Sequence, residues 1–391
     1  MSDALGKLFN DFDRGLISRR HLLQVLGVAV VARPAMAFAQ GSCGGARASL
    51  PECDTTPAKA PFASTGWKTV WLDHFSMQVA DYQKEAAYFA ALMNWQVRSD
   101  DGKQALLDIG DNTGGMVIRG GYQPPAPPAA PPTPPPAAPA NAAAAPAGAT
   151  AQGGQGRGGG APRAPRLVQF DGFAWGIAPW DTKKVEAELK ARGLNPIADH
   201  QGKDFQSFHV KDPNGFDLQI TNGNRQNRRK GNPKVTLAAP APFASTAWKT
   251  VWLDHISFEV TDYKEAVAFY SALLGWTPGV DEGSQNQIQI GDIGDAIIRR
   301  SGGGGGRGGQ APAAPAAPVV RRASIGHIAF GITPWEVDAV KAELDKRGLT
   351  GRADTGGSTE IHVAKYQSYH TTSPNGFDLQ ISNVTKATRG T

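Results

Sequence analysis

APFASTGWKTVWLDH, residues 60–74, and APFASTAWKTVWLDH, residues 241–255, decide how this chain is built. The two stretches differ only at Gly66 and Ala247 and stand 181 residues apart (255 − 74). A match this long is an internal duplication, so the chain is read as two copies of one architecture. Each copy runs into an alternating strand that delivers a histidine, WLDHFSMQV with His74 and WLDHISFEV with His255. Strand parity puts His74, Ser76 and Gln78 on one face and Phe75, Met77 and Val79 on the other.

Working outward, the pattern predicts a strand over 70–79 and a helix over 82–95 capped by Asp81, with Ala86, Phe89, Leu92 and Met93 at helical spacing. Short strands follow near 104–109 and 115–119. A Pro/Ala/Gly insert at 120–165 cannot bury a core. The strand–helix unit then restarts, with a strand over 167–178 and a helix over 180–192 closed by Gly193. A hairpin over 206–221 turns at Asp212-Pro213-Asn214-Gly215. The second copy repeats every part: a strand over 251–260, a helix over 263–276, strands near 287–290 and 296–299, and an insert at 301–318. After that insert come a strand over 324–332, a helix over 335–347 and a hairpin around Ser373-Pro374-Asn375-Gly376. Each insert falls at the midpoint of its copy. The fold class is therefore α+β: four strand–helix–strand units paired into two tandem lobes, 60–222 and 241–385, joined by an Arg-rich linker at 223–240.

Residues 1–39 have the parts of an export signal. Arg19-Arg20 precede a moderately apolar stretch and the small-residue series Ala35-Met36-Ala37-Phe38-Ala39. The expectation is twin-arginine export, a periplasmic or secreted protein, and a flexible stalk at 40–59. Cys43 and Cys53 in that stalk either close a small loop or remain spare thiols. The net charge of +5 is mild, and it falls to about +3 once the leader's five basic and three acidic residues are removed, which gives no nucleic-acid footprint. No apolar run is long enough for a permanent membrane span. The glycine run 302–309 lacks the Gly-Lys-Ser/Thr ending of a P-loop. Trp67, Trp71, Trp248 and Trp252 flank the first strands, as lobe-packing residues or as a ligand platform. His200 and His362 fall in predicted loops and receive no role.

Four such units in two lobes, each ending in Pro-Asn-Gly-Phe-Asp-Leu-Gln-Ile, resemble the vicinal oxygen chelate superfamily of glyoxalase I, bleomycin resistance proteins and type I extradiol dioxygenases. The resemblance covers both lobes. It implies βαβββ units whose sheets curl open around one divalent metal, with helices outside. Carried onto lobe two, the ligand positions are His255, His327 and Gln380. In lobe one they are His74, Gly172 and Gln219, a degenerate pocket. The active-site tyrosine position of the dioxygenases is His370 here, and His209 in lobe one. Both family carboxylates are thus glutamines, which bind a hard cation more weakly.

Parity in lobe two adds Ser257 and Glu259 to the face of His255, and Asp378 and Ser382 to that of Gln380. Two imidazoles, an amide and a nearby carboxylate suit Zn, Fe, Mn or Ni. Glu259 is the candidate fourth ligand or base, and His370 the candidate acid/base. The expected activity is metal-dependent isomerase, lyase or dioxygenase chemistry on a small vicinal-oxygen substrate. The alternatives are a metal-free protein that sequesters a small molecule and a structural module displayed on linkers. The sequence does not set the oligomeric state.

Overall fold

The computed structural model describes residues 55–124, 166–202, 204–227, 235–301, 323–355 and 360–389. The leader, both cysteines and nearly all of the two inserts lie outside the described residues. The first unit is β1 (Lys68–Val79), α1 (Tyr82–Met93), β2 (Gln96–Asp100), β3 (Gln104–Ile109) and β4 (Gly114–Arg119). The second is β5 (Val168–Ala178), α2 (Thr182–Ala191), β6 (Ile197–Ala198), β7 (Ser207–Lys211) and β8 (Asp217–Thr221). Together they make one mixed sheet in the order β2-β3-β4-β1-β5-β8-β7-β6. The second lobe repeats this with β9 (Lys249–Val260), α3 (Tyr263–Leu274), β10 (Thr277–Asp281), β11 (Gln285–Ile290) and β12 (Gly294–Arg300), followed by β13 (Ser324–Thr333), α4 (Val337–Lys346), β14 (Arg352–Asp354), β15 (Ser368–Thr372) and β16 (Asp378–Ser382). Its order is β10-β11-β12-β9-β13-β16-β15-β14, and neither sheet closes into a barrel.

The four units expected from the pattern are present. The sequence reading lacked β2, β6, β10 and β14, all edge strands too short or too polar to show a two-residue period. Two helices begin later than expected because a carboxylate caps them: Asp181 Oδ1 accepts from Lys184 N at 3.0 Å, and Glu336 accepts from the Asp338 and Ala339 amides. In β1 and β9 one face is apolar and fully buried beneath the helices, with Phe75, Met77 and Val79 in β1 and Ile256, Phe258 and Val260 in β9. The histidine face lines the concave side.

The duplicated stretch joins the lobes. Thr65 Oγ1 donates to Leu273 O at 2.7 Å, and Thr246 Oγ1 to Leu92 O at 2.7 Å. Thr65 N and Thr246 N each donate at 3.0 Å to Ala272 O and Ala91 O. Each copy of Ala-Pro-Phe-Ala-Ser-Thr thus satisfies carbonyls at the C-terminal end of the other lobe's helix, groups that no helix can pair internally. Two residues into each first strand, Thr69 accepts from Trp276 Nε1 and Thr250 from Trp95 Nε1, both at 2.9 Å. The turn glycines Gly110 and Gly291 are left-handed (φ 56° and 46°), and a Cβ there would strike Thr250 O at 2.2 Å and Thr69 O at 2.8 Å. Trp67, Trp71, Trp248 and Trp252 are all buried, the packing role among the two readings.

Charge breaks the symmetry of this interface. Glu85 of α1, where α3 has Ala266, is fully buried and accepts from Asn375 N at 3.2 Å and Asn375 Nδ2 at 2.8 Å. Asp212, where the second hairpin has Ser373, accepts from Tyr270 O–H at 2.7 Å. Burial raises the pKa of both carboxylates. Asn375→Ala would strip a buried carboxylate of a donor, and should cost about 2 kcal/mol in urea unfolding. Placed on Glu85→Gln, the same change should cost less, giving measurable coupling. A cost that is the same on both backgrounds would show that the contact contributes nothing specific.

Candidate functional site

Strand register assembles the site in rows. Across lobe two, Asp295, His255, Ala329, Gln380, His370 and Arg352 follow one another on adjacent strands. Ser257, His327 and Asp378 form the next row. Ala329, which contributes only a methyl group, lies between His255 and Gln380 in this row.

His255 Nδ1 lies 3.2 Å from Asp254 Oδ1, the carboxylate partner that fixes an imidazole so that its other nitrogen faces the cavity. That nitrogen, Nε2, lies 2.9 Å from His327 Nε2. Burial would raise the pKa of Asp254, but the neighbouring His255, Ser382 and Tyr366 hold it below the usual carboxylate range. His327 moves the other way. Burial, then the charges of His255, His370, Arg299 and Arg166, hold it well below 6.5, so it is a neutral imidazole.

Gln380 is fully buried, and its amide orientation is set by its neighbours. Tyr366 O–H donates to Asp254 Oδ2 at 3.1 Å, and Ser368 O–H to Asp354 O at 2.9 Å. Both hydroxyl oxygens therefore accept from Gln380 Nε2, each at 2.8 Å, with Asp354 Oδ2 at 3.3 Å. The carbonyl oxygen, Oε1, is left buried with no hydrogen-bond partner. A buried acceptor left open is costly unless something else fills it.

His370 completes the group. Its Nδ1 lies 3.2 Å from Asp378 Oδ1 and its Nε2 3.5 Å from Asp354 Oδ2. Burial alone would lower its pKa, but the two carboxylates outweigh it and raise it to about 9. Donor atoms of His327, His370 and Asp378 all lie within 4.8 Å of one another, a second donor set that shares His327 with the first. Glu259 stands apart, four residues along β9 from His255, and accepts from Ser324 Oγ at 3.2 Å.

Lobe one shows how much of this is shared. His74 pairs with Asp73 at 2.8 Å, His209 with Asp217 at 2.7 Å, and Gln219 donates to Asp199 and Ser207 at 3.2 and 2.8 Å. Gly172 occupies the register of His327, and a Cβ there would meet Asp217 O at 2.6 Å. The strands have closed over the missing side chain, so the second imidazole has no room to return. Phe205 stands where lobe two has Tyr366. Laying the repeats over each other, Asp-Phe-Gln-Ser-Phe-His against Lys-Tyr-Gln-Ser-Tyr-His, exposes that difference in the sequence itself. Asp354 carried no such signal, because β14 has only three residues.

The residues fit a divalent ion. His255 Nε2 and His327 Nε2, hydrogen-bonded to each other at 2.9 Å, stand a little closer than the ~3.3 Å between two ligand nitrogens at ~2.0–2.1 Å from a tetrahedral ion, so a small separation of the rings makes room for one. Gln380 Oε1 supplies a third, otherwise unused donor.

Residues 252–381 match the family model described as the Glyoxalase/Bleomycin resistance protein/Dioxygenase superfamily, a span covering nearly all of lobe two. No curated protein matches the sequence. Among solved structures, the 2,3-dioxygenase LapB from Pseudomonas sp. KL28 is similar with a TM-score of 0.50 and 13% identity, over 81% of this chain and 92% of that one. The Mn(II)-bound glyoxalase from Novosphingobium aromaticivorans gives a TM-score of 0.50 at 12% identity, over 83% and 86% of the two chains. An extradiol ring-cleaving dioxygenase from B. fuscum gives a TM-score of 0.50 at 14% identity, over 84% and 75%. At these identities the likeness is one of fold: both lobes share the architecture of these structures, and it is lobe two that matches the family model.

The carboxylates around His370 make its titration a test of the site. A folded pKa of about 9 against 6.5 unfolded contributes stability that is fully present below about pH 6.5 and lost as pH rises through about 9. Wild type should therefore lose more unfolding free energy between about pH 6 and pH 9.5 than His370→Gln. Equal losses would place His370 at an ordinary pKa.

Proposed function

We propose that this is an exported, metal-dependent enzyme of the vicinal oxygen chelate type, acting in lobe two on a small molecule with neighbouring oxygens. The observation that carries it is the pair of ring nitrogens of His255 and His327, 2.9 Å apart, with the buried, unpartnered Gln380 Oε1 in the same row of the sheet as His255. His255, His327 and Gln380 would hold the ion, and a bound divalent metal supplies Lewis-acid stabilisation of an oxyanion. The chain's own residues do the rest. Asp254 fixes the His255 ring, while Tyr366 and Ser368 fix the Gln380 amide. Asp378 and Asp354 hold a proton on His370, on the concave face where a ligand proton is to be placed or taken back. Glu259, further along the strand, serves a substrate that reaches the end of β9. Manganese in a glyoxalase of similar fold supports a metal here without naming which one.

A second reading rests on the neutrality of Gln380. With an amide where a charged ligand would bind harder, lobe two would serve as a metal-free pocket for a small molecule.

Metal analysis of untagged protein expressed with Zn, Fe, Mn and Ni supplied separates the two. About one equivalent per chain is expected, lost in His255→Ala and in His327→Ala and retained in His74→Ala. Asp254→Asn should weaken retention by about 10–100-fold, as loss of the carboxylate behind a ligating histidine does. Metal that survives both histidine changes would mean other ligands, and no metal under any supply would leave the binding protein. For export, replacing Arg19 and Arg20 with lysine should hold the precursor in the cytoplasm on fractionation. Unchanged delivery to the periplasm would remove the twin-arginine route.

A further inference from the structure

The segment that leads into lobe one leaves a space where it crosses lobe two. Residues 55–64 lie along α3: Lys264 Nζ donates to Thr56 O at 2.9 Å, and Phe62 packs edge-on to Phe269 with ring centroids 5.6 Å apart. Residues 237–245 lie along α1 in the same way. There Ala238 N and Ala239 N donate to Gln83 Oε1 at 3.1 and 3.3 Å, and Phe243 packs against Tyr88 at 5.8 Å. Between residues 55–64, α3 and β10 lies a cavity of about 440 Å³. It sits on the helix side of the sheet, away from the concave face that carries His255 and His327.

The 181-residue spacing of the duplicated stretch shows what opens it. Thr56 stands where the first lobe's α1 is crossed by Leu237, and Gly279 stands where β2 has Arg98. Leu237 is half-buried and packs against the hydrophobic core, whereas a threonine reaches less far. A Cβ at Gly279 would strike Gln287 O at 2.4 Å, so β10 admits no side chain there. Polar groups in the wall are already engaged. Tyr263 O–H donates to Asp281 Oδ1 at 2.7 Å, and Asn286 exchanges hydrogen bonds with the Gly279 backbone. The rest of the wall is mainly apolar, with Pro57, Val267, Ala268, Ala272 and Pro278. Sites for small molecules have this character, at ~300–1,000 Å³ and mostly apolar lining. An apolar void works against stability, and lobe one shows which chemistry fills it, a branched aliphatic group.

We propose that this cavity is a second binding site of the protein, for a small uncharged molecule with an aliphatic or aromatic body, seated where lobe one carries Leu237. Such a guest touches α3 and the segment crossing it at once, and so tightens the joint between the lobes. It is independent of the metal-site reading.

The test titrates full-length protein with tert-butylbenzene, followed by NMR. One saturable site is expected, and the bound probe should raise the unfolding temperature. Thr56→Leu should occupy the space and weaken binding at least about tenfold. The same change should itself raise the unfolding temperature, as filling a void does, so that lost binding is not lost folding. Ala268→Leu should obstruct the cavity from the other wall, and Thr56→Ser should bind as wild type does. No saturable binding in wild type, or unchanged affinity in Thr56→Leu, would overturn the proposal. Tighter binding in Leu50→Asn would overturn it too: Leu50 is the only large aliphatic residue between 40 and 59, and the chain itself would then be the occupant. So would an affinity that falls as protein concentration rises, which would put a second copy of the chain on this face.

Discussion

Each lobe is finished by the other. The last carbonyls of α1 and α3 have no partners within their own helices, and the threonines of the opposite copy supply them. Trp95 and Trp276 repeat the exchange two residues into each first strand. The same segment that docks across the interface runs on into the strand bearing His74 or His255. Docking and site geometry are therefore mechanically one element, and a change that loosens the former shifts the latter. This also accounts for the near-identity of the two stretches, since a reciprocal contact asks the same residues of both copies.

Reciprocity ends where charge begins. Glu85 and Asp212 lie on opposite sides of the approximate two-fold, and each takes its donor from the other lobe. One lobe has Ala266 and Ser373 at the matching positions, so the two pairs cannot be exchanged by rotating the lobes. A duplicated protein gains a unique assembly in this way: the apolar and capping contacts define the shape, and the unmatched polar pairs define which lobe is which.

Much of this was legible in the sequence, because periodicity and duplication are local signals. The histidine strands, the helix cap at Asp81 and the hairpin turns all declare themselves within a few residues. Parity alone put His255, Ser257 and Glu259 on one face. What stayed hidden depends on register between strands far apart in the chain. Asp354 meets His370 through a three-residue strand that has no period of its own. Arg299 meets the bulge at Gly326 only through a parallel pairing and an irregular antiparallel one. Asp378 was visible on the right face, yet its closeness to His327 follows from the β13–β16 register.

The two lobes record two outcomes of one design. In lobe one the strands have closed over Gly172, Asp171 neutralises Arg119, and Phe205 removes a hydroxyl. Each change satisfies a polar group internally or replaces it with an apolar one. In lobe two the matching positions keep polar groups: His327 pairs with His255, Gln380 Oε1 has no hydrogen-bond partner, and Glu259 stands opposite Arg299. Leaving such groups buried works against stability, and a fold closed by reciprocal helix capping can tolerate that in one half. A facing pair of imidazoles and an amide oxygen without a partner are donors suited to a cation, and that combination, more than the fold, sets lobe two apart from its copy.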